Sequence, residues 1–359
     1  MSASSASSAS SASSASSASD ASRTARASRT PDASRKSAAS RAAGTASAPG
    51  ARANRPRRPQ RQAVGVLLGP FTVLLLAVFL IPVLYAIRLS FFSESHSGLG
   101  FGNAHTTFVG LRNYLAVLDD PSFVSGVVTT LVYALVFIPL VLAGALVLAL
   151  LFDSGLIRAR QLSQTVLFVP HAVPGIIATV IWLYLYTPGI SPVLDVLSKG
   201  DIEVNFLGLQ MLIPSLVNIA LWSGLGYTAV IFFAALRAIP RELVEAAQVD
   251  GAGPVRTALT IKVPMIRGTL STVAIFTTIA ALQLFTEPML LSRATPLVGP
   301  RYTPNMYIFD AAFTRNNYGL ASAASVLLLI VCCALSYVVT RGTARAGRRD
   351  TASRKDRRS

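Results

Sequence analysis

The fold is decided by Glu245-Ala246-Ala247-Gln248-Val249-Asp250-Gly251 and, after nine intervening residues, Ile261-Lys262-Val263-Pro264. Both stretches lie in a short charged segment between two long apolar runs. A membrane protein that keeps such a segment between two spans exposes it to water, where another protein can bind it. The segment therefore predicts a docking element, and the alternative is an amphipathic interfacial helix that has no partner.

Local signals predict two short helices in this segment. Pro240 suits the first position of a helix, where a missing N–H is not needed for a hydrogen bond. Gly251 is expected to end that helix in a left-handed conformation. Pro254 can open a second short helix, and Pro264 is expected to end it before the next apolar run.

The first of these helices is predicted to offer a bare face. Two adjacent alanines allow a second protein to approach the backbone closely, which is typical of a helix that binds in a groove. The candidate docking residues are Glu245, Ala246, Ala247, Asp250, Gly251, Ile261 and Pro264.

Composition indicates an integral membrane protein with two basic tails. The apolar fraction is 52% and the mean hydropathy is +0.54, both high for a water-soluble chain. Of the net charge of +16, residues 1–62 contribute +9 and residues 341–359 contribute +6. The basic excess therefore belongs to the tails, and it predicts retention beside anionic lipid rather than nucleic-acid binding. The first tail begins with a Ser-Ser-Ala repeat that has no apolar face and is expected to be disordered.

Six apolar runs are each near the ~20 residues that a membrane-spanning helix requires. They cover residues 64–90, 124–152, 166–187, 212–236, 268–291 and 319–340. The chain is thus predicted to be all-α, with a membrane domain at 63–341 that contains the charged segment at 237–267. A cytoplasmic tail precedes this domain in the sequence (1–62), and another follows it (342–359). Small-residue patches, such as Gly224-Leu225-Gly226, allow close contacts between helices.

The positive-inside rule predicts the orientation. The basic residues before run 1, between runs 2 and 3, between runs 4 and 5, and after run 6 all fall on one side, which we expect to be cytoplasmic. Arg293, Arg301 and Arg315, between runs 5 and 6, are exceptions to the rule. Both termini and the charged segment are therefore expected in the cytoplasm, where ATP is available.

Several motifs together resemble the carbohydrate-type permeases of binding-protein-dependent ABC importers. The segment from Leu236 to Gly251 is similar to their "L-x-x-I-P-x-x-x-x-E-A-A-x-x-D-G" pattern, with Val263 where the later part of that signature has Leu. The stretch 108–114 resembles "F-x-G-L-x-N-Y", and the stretch 318–323 resembles "Y-G-x-A-S-A". The family's Leu-Thr-x-Gly-Gly-Pro after the fifth span is replaced by residues 291–296, Leu-Ser-Arg-Ala-Thr-Pro.

This resemblance implies an ABC importer permease of type I with several partners. These are two cytoplasmic ATPase subunits bound at the E-A-A segment, a second homologous permease, an extracytoplasmic solute-binding protein, a sugar substrate and membrane lipid. The chain itself has no Gly-x4-Gly-Lys-Ser/Thr phosphate loop, so ATP hydrolysis is expected of the partner and not of this chain. The three histidines are scattered, and neither a metal nor another cofactor is predicted.

Polar and aromatic residues inside run 4 are the candidate substrate path. Sugars stack their C–H faces on aromatic rings and hydrogen-bond through their hydroxyls. In the resembled family the matching Gly and Tyr of this helix, with polar residues of the next span, contact sugar. The candidates are Asn218, Trp222, Ser223, Gly224, Tyr227 and Gln283, and the alternative is that the aromatic side chains only pack in the core.

Other polar groups in the spans are given structural interpretations. His171 is interpreted as a packed or interfacial residue near the inner start of run 3. Trp182, Tyr184 and Tyr186 are interpreted as an aromatic belt near the outer end of that run.

Two further functional classes remain as alternatives. One is an ABC importer permease for glycerol phosphate, a polyol or a peptide; a phosphate ester would favour arginines in the cavity, and runs 3–5 have none. The other is a self-contained secondary transporter, which is expected to carry buried acids or broken, repeated helices and has no use for an E-A-A segment.

Overall fold

A computed structural model of the protein describes residues 58–95, 105–155, 157, 159–201 and 203–356. Helices dominate this described part of the chain, and the described residues from Gln62 onward form one compact unit. The helices are α1 Arg58–Leu75, α2 Ile81–Ser90, α3 Arg112–Leu118, α4 Pro121–Asp153, α5 Arg160–Ala172, α6 Gly175–Tyr186, α7 Pro192–Ser198, α8 Leu212–Arg237, α9 Arg241–Val249, α10 Pro254–Thr257, α11 Val263–Met265, α12 Arg267–Leu282, α13 Thr286–Leu291, α14 Pro304–Phe309 and α15 Tyr318–Asp356. Short π-helical turns at Leu76–Leu80, Ala258–Lys262 and Asp310–Thr314 interrupt this series.

Five of the six predicted spans are present as helical segments long and apolar enough to cross a membrane. In the described residues they are Leu68–Ser90, Pro121–Asp153, Leu212–Arg237, Arg267–Leu291 and Tyr318–Arg341. The first contains a π turn, and the fourth of these segments breaks between α12 and α13 at Gln283. The predicted all-α membrane fold is confirmed.

The third predicted span is a bent pair rather than one continuous helix. The axes of α5 and α6 differ in direction by 95°. The break falls at Val173 and Pro174, where proline provides no N–H and disfavours helical backbone in the residue before it. The sequence prediction of a single run over 166–187 missed this bend, because the length of an apolar run does not show whether the helix changes direction within it.

Both halves of the bent pair nevertheless pack against α8. The Arg160 guanidinium lies 5.2 Å from the centre of the Phe233 ring, near the C-terminal end of α8. The Tyr186 hydroxyl donates a hydrogen bond to the Ser215 carbonyl oxygen (3.3 Å), near the N-terminal end of α8. The pair therefore runs antiparallel to α8 from one end of that helix to the other.

The core is built around α4 and α8. Fully buried apolar side chains, among them Phe152 on α4 and Phe232 on α8, alternate with alanines and glycines at their contact. A Cβ atom added at Gly144 would lie 2.9 Å from Leu225, and one added at Gly226 would lie 2.5 Å from the Leu167 carbonyl carbon. The small residues are thus the places where α4 and α5 approach α8 most closely.

A small antiparallel hairpin, Phe92–Ser95 (β1) with His105–Phe108 (β2), follows α2 and was not predicted. The Asn113 amide donates to the Ser90 and Phe92 carbonyl oxygens (2.8 and 2.9 Å). Gly319 lies against the Phe92 carbonyl oxygen, where a Cβ would clash. The two motifs "F-x-G-L-x-N-Y" and "Y-G-x-A-S-A" therefore hold α2, the hairpin and α15 together. We call this part of the molecule the hairpin end.

The predicted tails lie mostly beyond the described residues or at their margin. The expectation of a disordered tail over 1–62 concerns residues that, up to Arg57, lie outside the described ones. The basic segment predicted at 342–359 continues α15 as a helix as far as Asp356.

Candidate functional site

The charged segment folds largely as the sequence predicts. Gly251 has a φ of +78°, the left-handed conformation expected at the end of α9. The Ala252 N–H donates to the Ala247 carbonyl oxygen (2.9 Å), which closes the last turn. Pro254 opens α10. Pro240 lies one residue earlier than predicted, as the cap that precedes Arg241.

The predicted role of Pro264 is wrong. It lies inside α11, and the helical chain ends instead at Ile266. The preceding π turn explains why proline is tolerated there, because the Val263 N–H already bonds five residues back to the Ala258 carbonyl oxygen. A widened turn changes which N–H groups pair with which carbonyl oxygens, so the missing N–H of Pro264 does not break the helix.

An ion pair fixes the segment to the helix bundle. The Lys262 ammonium donates to an Asp153 carboxylate oxygen at 2.5 Å, and only 19% and 12% of the two side chains are exposed. Ile266 joins a buried cluster with Ala149 and Phe232. Sequence analysis missed the pair because the two residues are 109 positions apart. We call the part of the bundle at Asp153, Leu236 and Lys262 the E-A-A end.

The outward surface of the segment combines exposed apolar and acidic side chains. Val249, Val255 and Leu259 are 87%, 72% and 62% exposed. Glu245, Ala246, Asp250 and Gly251 are exposed, and Ile261 and Pro264 are partly buried. Ala247 is buried, so only one of the two alanines belongs to the bare face that was predicted. Apolar side chains on a water-facing segment are typical of a surface that another protein covers.

A cavity of about 830 Å³ lies beside this surface, and Val255 and Leu259 also line it. Its walls come from the last turns of α4 and α8 and from α9, α10 and the π turn, and they include Glu245, Arg241 and Lys262. The segment is therefore joined to the bundle at its two ends and stands away from it in the middle.

The predicted stripe on α8 is accessible. A side chain at Gly224 would meet nothing within 4 Å. Tyr227 is 42% exposed. The Ser223 hydroxyl donates to the Ile219 carbonyl oxygen (3.1 Å), so its lone pairs remain available to a bound molecule.

Asn218 and Trp222 belong to a different environment. The Asn218 amide donates to the Tyr186 hydroxyl (2.8 Å), and the Trp222 ring lies 6.1 Å from the Trp182 ring. Asn218, Trp182 and Tyr186 line a cavity of about 360 Å³ beside α7. The aromatic-belt interpretation is therefore wrong for Trp182 and Tyr186, which pack against α8, while Tyr184 is 49% exposed as a belt residue would be.

Gln283 lies at the break that follows α12, with its side chain exposed. Within the described residues, no hydrogen bond joins its side chain to the stripe on α8. Its neighbour Leu284 packs in the same buried cluster as Leu225 of α8, and the contribution of Gln283 to the path stays a prediction.

His171 has a position that sequence analysis did not anticipate. Its ring stacks on the Tyr227 ring, with 4.2 Å between centroids and 11° between planes. Its Nδ1 atom lies 3.1 Å from the Ser223 carbonyl oxygen. Because Ser223 and Tyr227 occupy the middle of α8, His171 lies at mid-depth rather than near an end of the span. The prolines on both sides of it in sequence, Pro170 and Pro174, were the available sign that the span is broken beside His171.

Two of the three arginines that break the positive-inside rule are paired at the hairpin end. Asp310 accepts from Arg301 at 2.7 Å and lies 3.0 Å from Arg315. Asp120 adds a second carboxylate 3.8 Å from Arg301. Burial raises the pKa of Asp120, but hydrogen bonding from Ser122 and the Arg301 charge outweigh this and lower it overall. Internal neutralisation explains why these arginines are compatible with the predicted orientation.

Comparison with known proteins assigns the chain to a family. Residues 109–346 match the model of the binding-protein-dependent transport system inner membrane component. The chain is 31% identical to the sn-glycerol-3-phosphate transport system permease protein UgpA of Brucella abortus over 274 residues, covering 75% of this chain and 90% of that protein. It is 31% identical to the diacetylchitobiose uptake system permease protein NgcF of Streptomyces coelicolor over 315 residues, covering 82% and 88%.

A solved structure has the same fold. It is a bacterial ABC transporter involved in the import of the acidic polysaccharide alginate, with a TM-score of 0.66 and 20% identity. The match covers 80% of this chain and 96% of the chain in that structure. Since the family model covers most of the chain, the protein belongs to the inner membrane components of binding-protein-dependent ABC transport systems.

Proposed function

We propose that the protein is the permease subunit of an ATP-driven importer of a neutral sugar or oligosaccharide. The observation that carries this proposal is the E-A-A segment, which is exposed to water in its middle and fixed to the bundle at Lys262 and Asp153. Such a segment transmits force only if another protein holds it. Family membership supplies the transport system in which that protein would act.

The partner at the segment is a cytoplasmic ATPase subunit in this proposal. Val249, Val255 and Leu259 would enter an apolar groove, and Glu245 would contact its rim. One ATPase would bind this chain and a second would bind a homologous permease. An extracytoplasmic binding protein would deliver the solute to the hairpin end.

This arrangement requires both termini and the E-A-A end to be cytoplasmic. The basic residues near Arg160, Arg237 and Arg267 support this orientation through the positive-inside rule. Asp310 and Asp120, which lie beside Arg301 and Arg315, offset two of the three opposing arginine charges on the other side.

A neutral solute fits the described spans better than a phosphate ester does. Their interiors hold no Lys or Arg, which occur only near helix ends, as at Arg88, Arg160 and Arg341. One relative is named for diacetylchitobiose uptake, which supports a sugar. Another is named for sn-glycerol-3-phosphate, so that ester, with a polyol or a peptide, is the second candidate.

The proposed solute path follows α8. Ser223, Gly224 and Tyr227 form its accessible stripe. Asn218 and Trp222 would line its outer part, and Gln283 would complete it from the next span.

The test of coupling is a double variant, Glu245→Lys with Gly251→Pro. Proline cannot adopt a φ of +78°, and the charge reversal alters the exposed rim. In membranes containing the complete transporter we expect normal levels of this chain, loss of ATPase co-purification and loss of sugar uptake. Glu203→Lys, a charge reversal at an exposed site away from the segment, is the control for membrane level and ATPase co-purification. Normal uptake by the double variant would refute the proposed coupling.

A further inference from the structure

The break between α5 and α6 lies at the depth of the middle of α8. Its neighbour His171 contacts Ser223 and Tyr227, which are near the midpoint of the 26-residue α8. Pro174 and Gly175 at the break are exposed in this chain. Non-helical backbone at such depth is tolerated where another protein covers it or where it lines a water-filled cavity.

An aromatic surface lies beside the break. The His171 and Tyr227 rings are stacked, and the Phe168 ring lies 5.8 Å from the His171 ring at a steep angle. All three side chains are exposed. In the open middle of a membrane protein, exposed aromatic rings with polar atoms are suited to the alternating apolar and hydroxyl surface of a sugar.

The hydrogen bond of His171 determines what the ring can offer. The Ser223 carbonyl oxygen can only accept, so Nδ1 carries the hydrogen. In the neutral ring Nε2 is then a lone-pair acceptor. No described residue donates to Nε2, which leaves it available to a hydroxyl group of a solute.

We propose that His171 is a solute-binding residue whose Nε2 accepts a hydrogen bond from a sugar hydroxyl while the sugar ring lies against Tyr227. This inference rests on the proposed path along α8 and extends it to α5. It also provides a basis for specificity. A hydroxyl of a sugar or of glycerol phosphate can donate to Nε2, whereas the oxygens of a phosphate dianion only accept, so the site disfavours a phosphate group placed against Nε2.

Three substitutions separate binding from a structural role. His171→Gln places an acceptor close to the Nε2 position, whereas His171→Asn keeps only a polar group near Nδ1 and Ser223. His171→Phe keeps the ring on Tyr227 and loses both hydrogen bonds. If Nε2 binds solute, uptake falls about tenfold in the Asn and Phe variants, as expected for one hydrogen bond, and stays near normal in the Gln variant.

The assay uses the complete transporter with its binding protein in proteoliposomes. The probes are radiolabelled maltose, diacetylchitobiose and glycerol 3-phosphate, and the sugar with the fastest uptake is used for all variants. Binding-protein-stimulated ATP hydrolysis measures assembly. Tyr184→Phe, on an exposed side chain of α6, is the control.

The outcomes distinguish this inference from the proposed function. Normal uptake by His171→Asn with a defect in His171→Gln would show a structural tether to Ser223 and overturn the proposal. Normal uptake by His171→Phe together with a defect in Tyr227→Ala would also overturn it while leaving the path intact. Normal uptake by both His171→Phe and Tyr227→Ala would refute the proposed solute path along α8 itself.

A second measurement tests exposure without relying on substrate. With Cys332 and Cys333 replaced by serine, His171→Cys should react with a water-soluble, membrane-impermeant methanethiosulfonate in the complete transporter. The sugar should slow that reaction. An unreactive cysteine would show that the partner permease covers the break, and the proposal would fall.

Discussion

Gly226→Ala is expected to force α5 and α8 apart. The new Cβ would lie 2.5 Å from the Leu167 carbonyl carbon and closer still to its oxygen, and real Cβ atoms essentially never approach neighbouring atoms within 3.0 Å. The obstructing atoms are backbone, so no side-chain rotation can relieve the contact. Overpacking of this kind costs about 1–3 kcal/mol, and we expect the upper part of that range because two helices must move.

Gly224→Ala provides a matched control for this change. It adds the same methyl group to the same helix two residues away, where nothing lies within 4 Å. Intrinsic helix propensity favours alanine over glycine by up to about 1 kcal/mol at both sites, so the difference between the variants isolates the contact with Leu167.

The assay is thermal unfolding of the detergent-purified transporter, monitored by size-exclusion chromatography, and sugar uptake is measured separately in proteoliposomes. We expect Gly226→Ala to melt several degrees lower than Gly224→Ala. Uptake should also fall, because displacement of α5 carries His171 away from Tyr227. Equal melting temperatures in the two variants would refute the close crossing of α5 and α8.

Two further predictions concern the ion pairs at opposite ends of the bundle. Lys262→Met should destabilise the transporter by about 1–3 kcal/mol and weaken ATPase coupling, because it leaves Asp153 without its partner. Adding Asp153→Asn should restore part of the lost melting temperature. Strictly additive effects of the two substitutions would contradict the pairing. Asp310→Asn should reduce the free energy of unfolding by a similar amount and lower the melting temperature, because Arg301 and Arg315 lose their shared carboxylate. An unchanged melting temperature would show that the cluster does not stabilise the hairpin end.

The bounds of the spans and the form of the docking segment could be read from local sequence. Apolar length specifies where helices can cross, and five runs agree with the observed segments to within a few residues. The left-handed Gly251 and the opening of α10 at Pro254 follow from backbone restrictions that act within a single residue. Pro264 was mispredicted because a π turn just before it changed the hydrogen-bond frame.

The candidate path was predicted in part. Ser223, Gly224 and Tyr227 share a helix face, and one-dimensional spacing is sufficient to place them together. His171 comes from another helix, and its contact depends on which faces meet. Gln283 was placed by analogy with the family, and its part in the path stays a prediction.

The sequence by itself determined that the chain crosses a membrane, where its spans begin and end, and where a charged segment stands between two of them. These properties depend on hydrophobic length, charge and local backbone preference, all of which are set by neighbours along the chain. Only the tertiary structure decided the bend at Pro174, the Lys262–Asp153 pair and the stacking of His171 on Tyr227. Each of these depends on the rotation and separation of packed helices, which arise from contacts between residues that are distant in sequence.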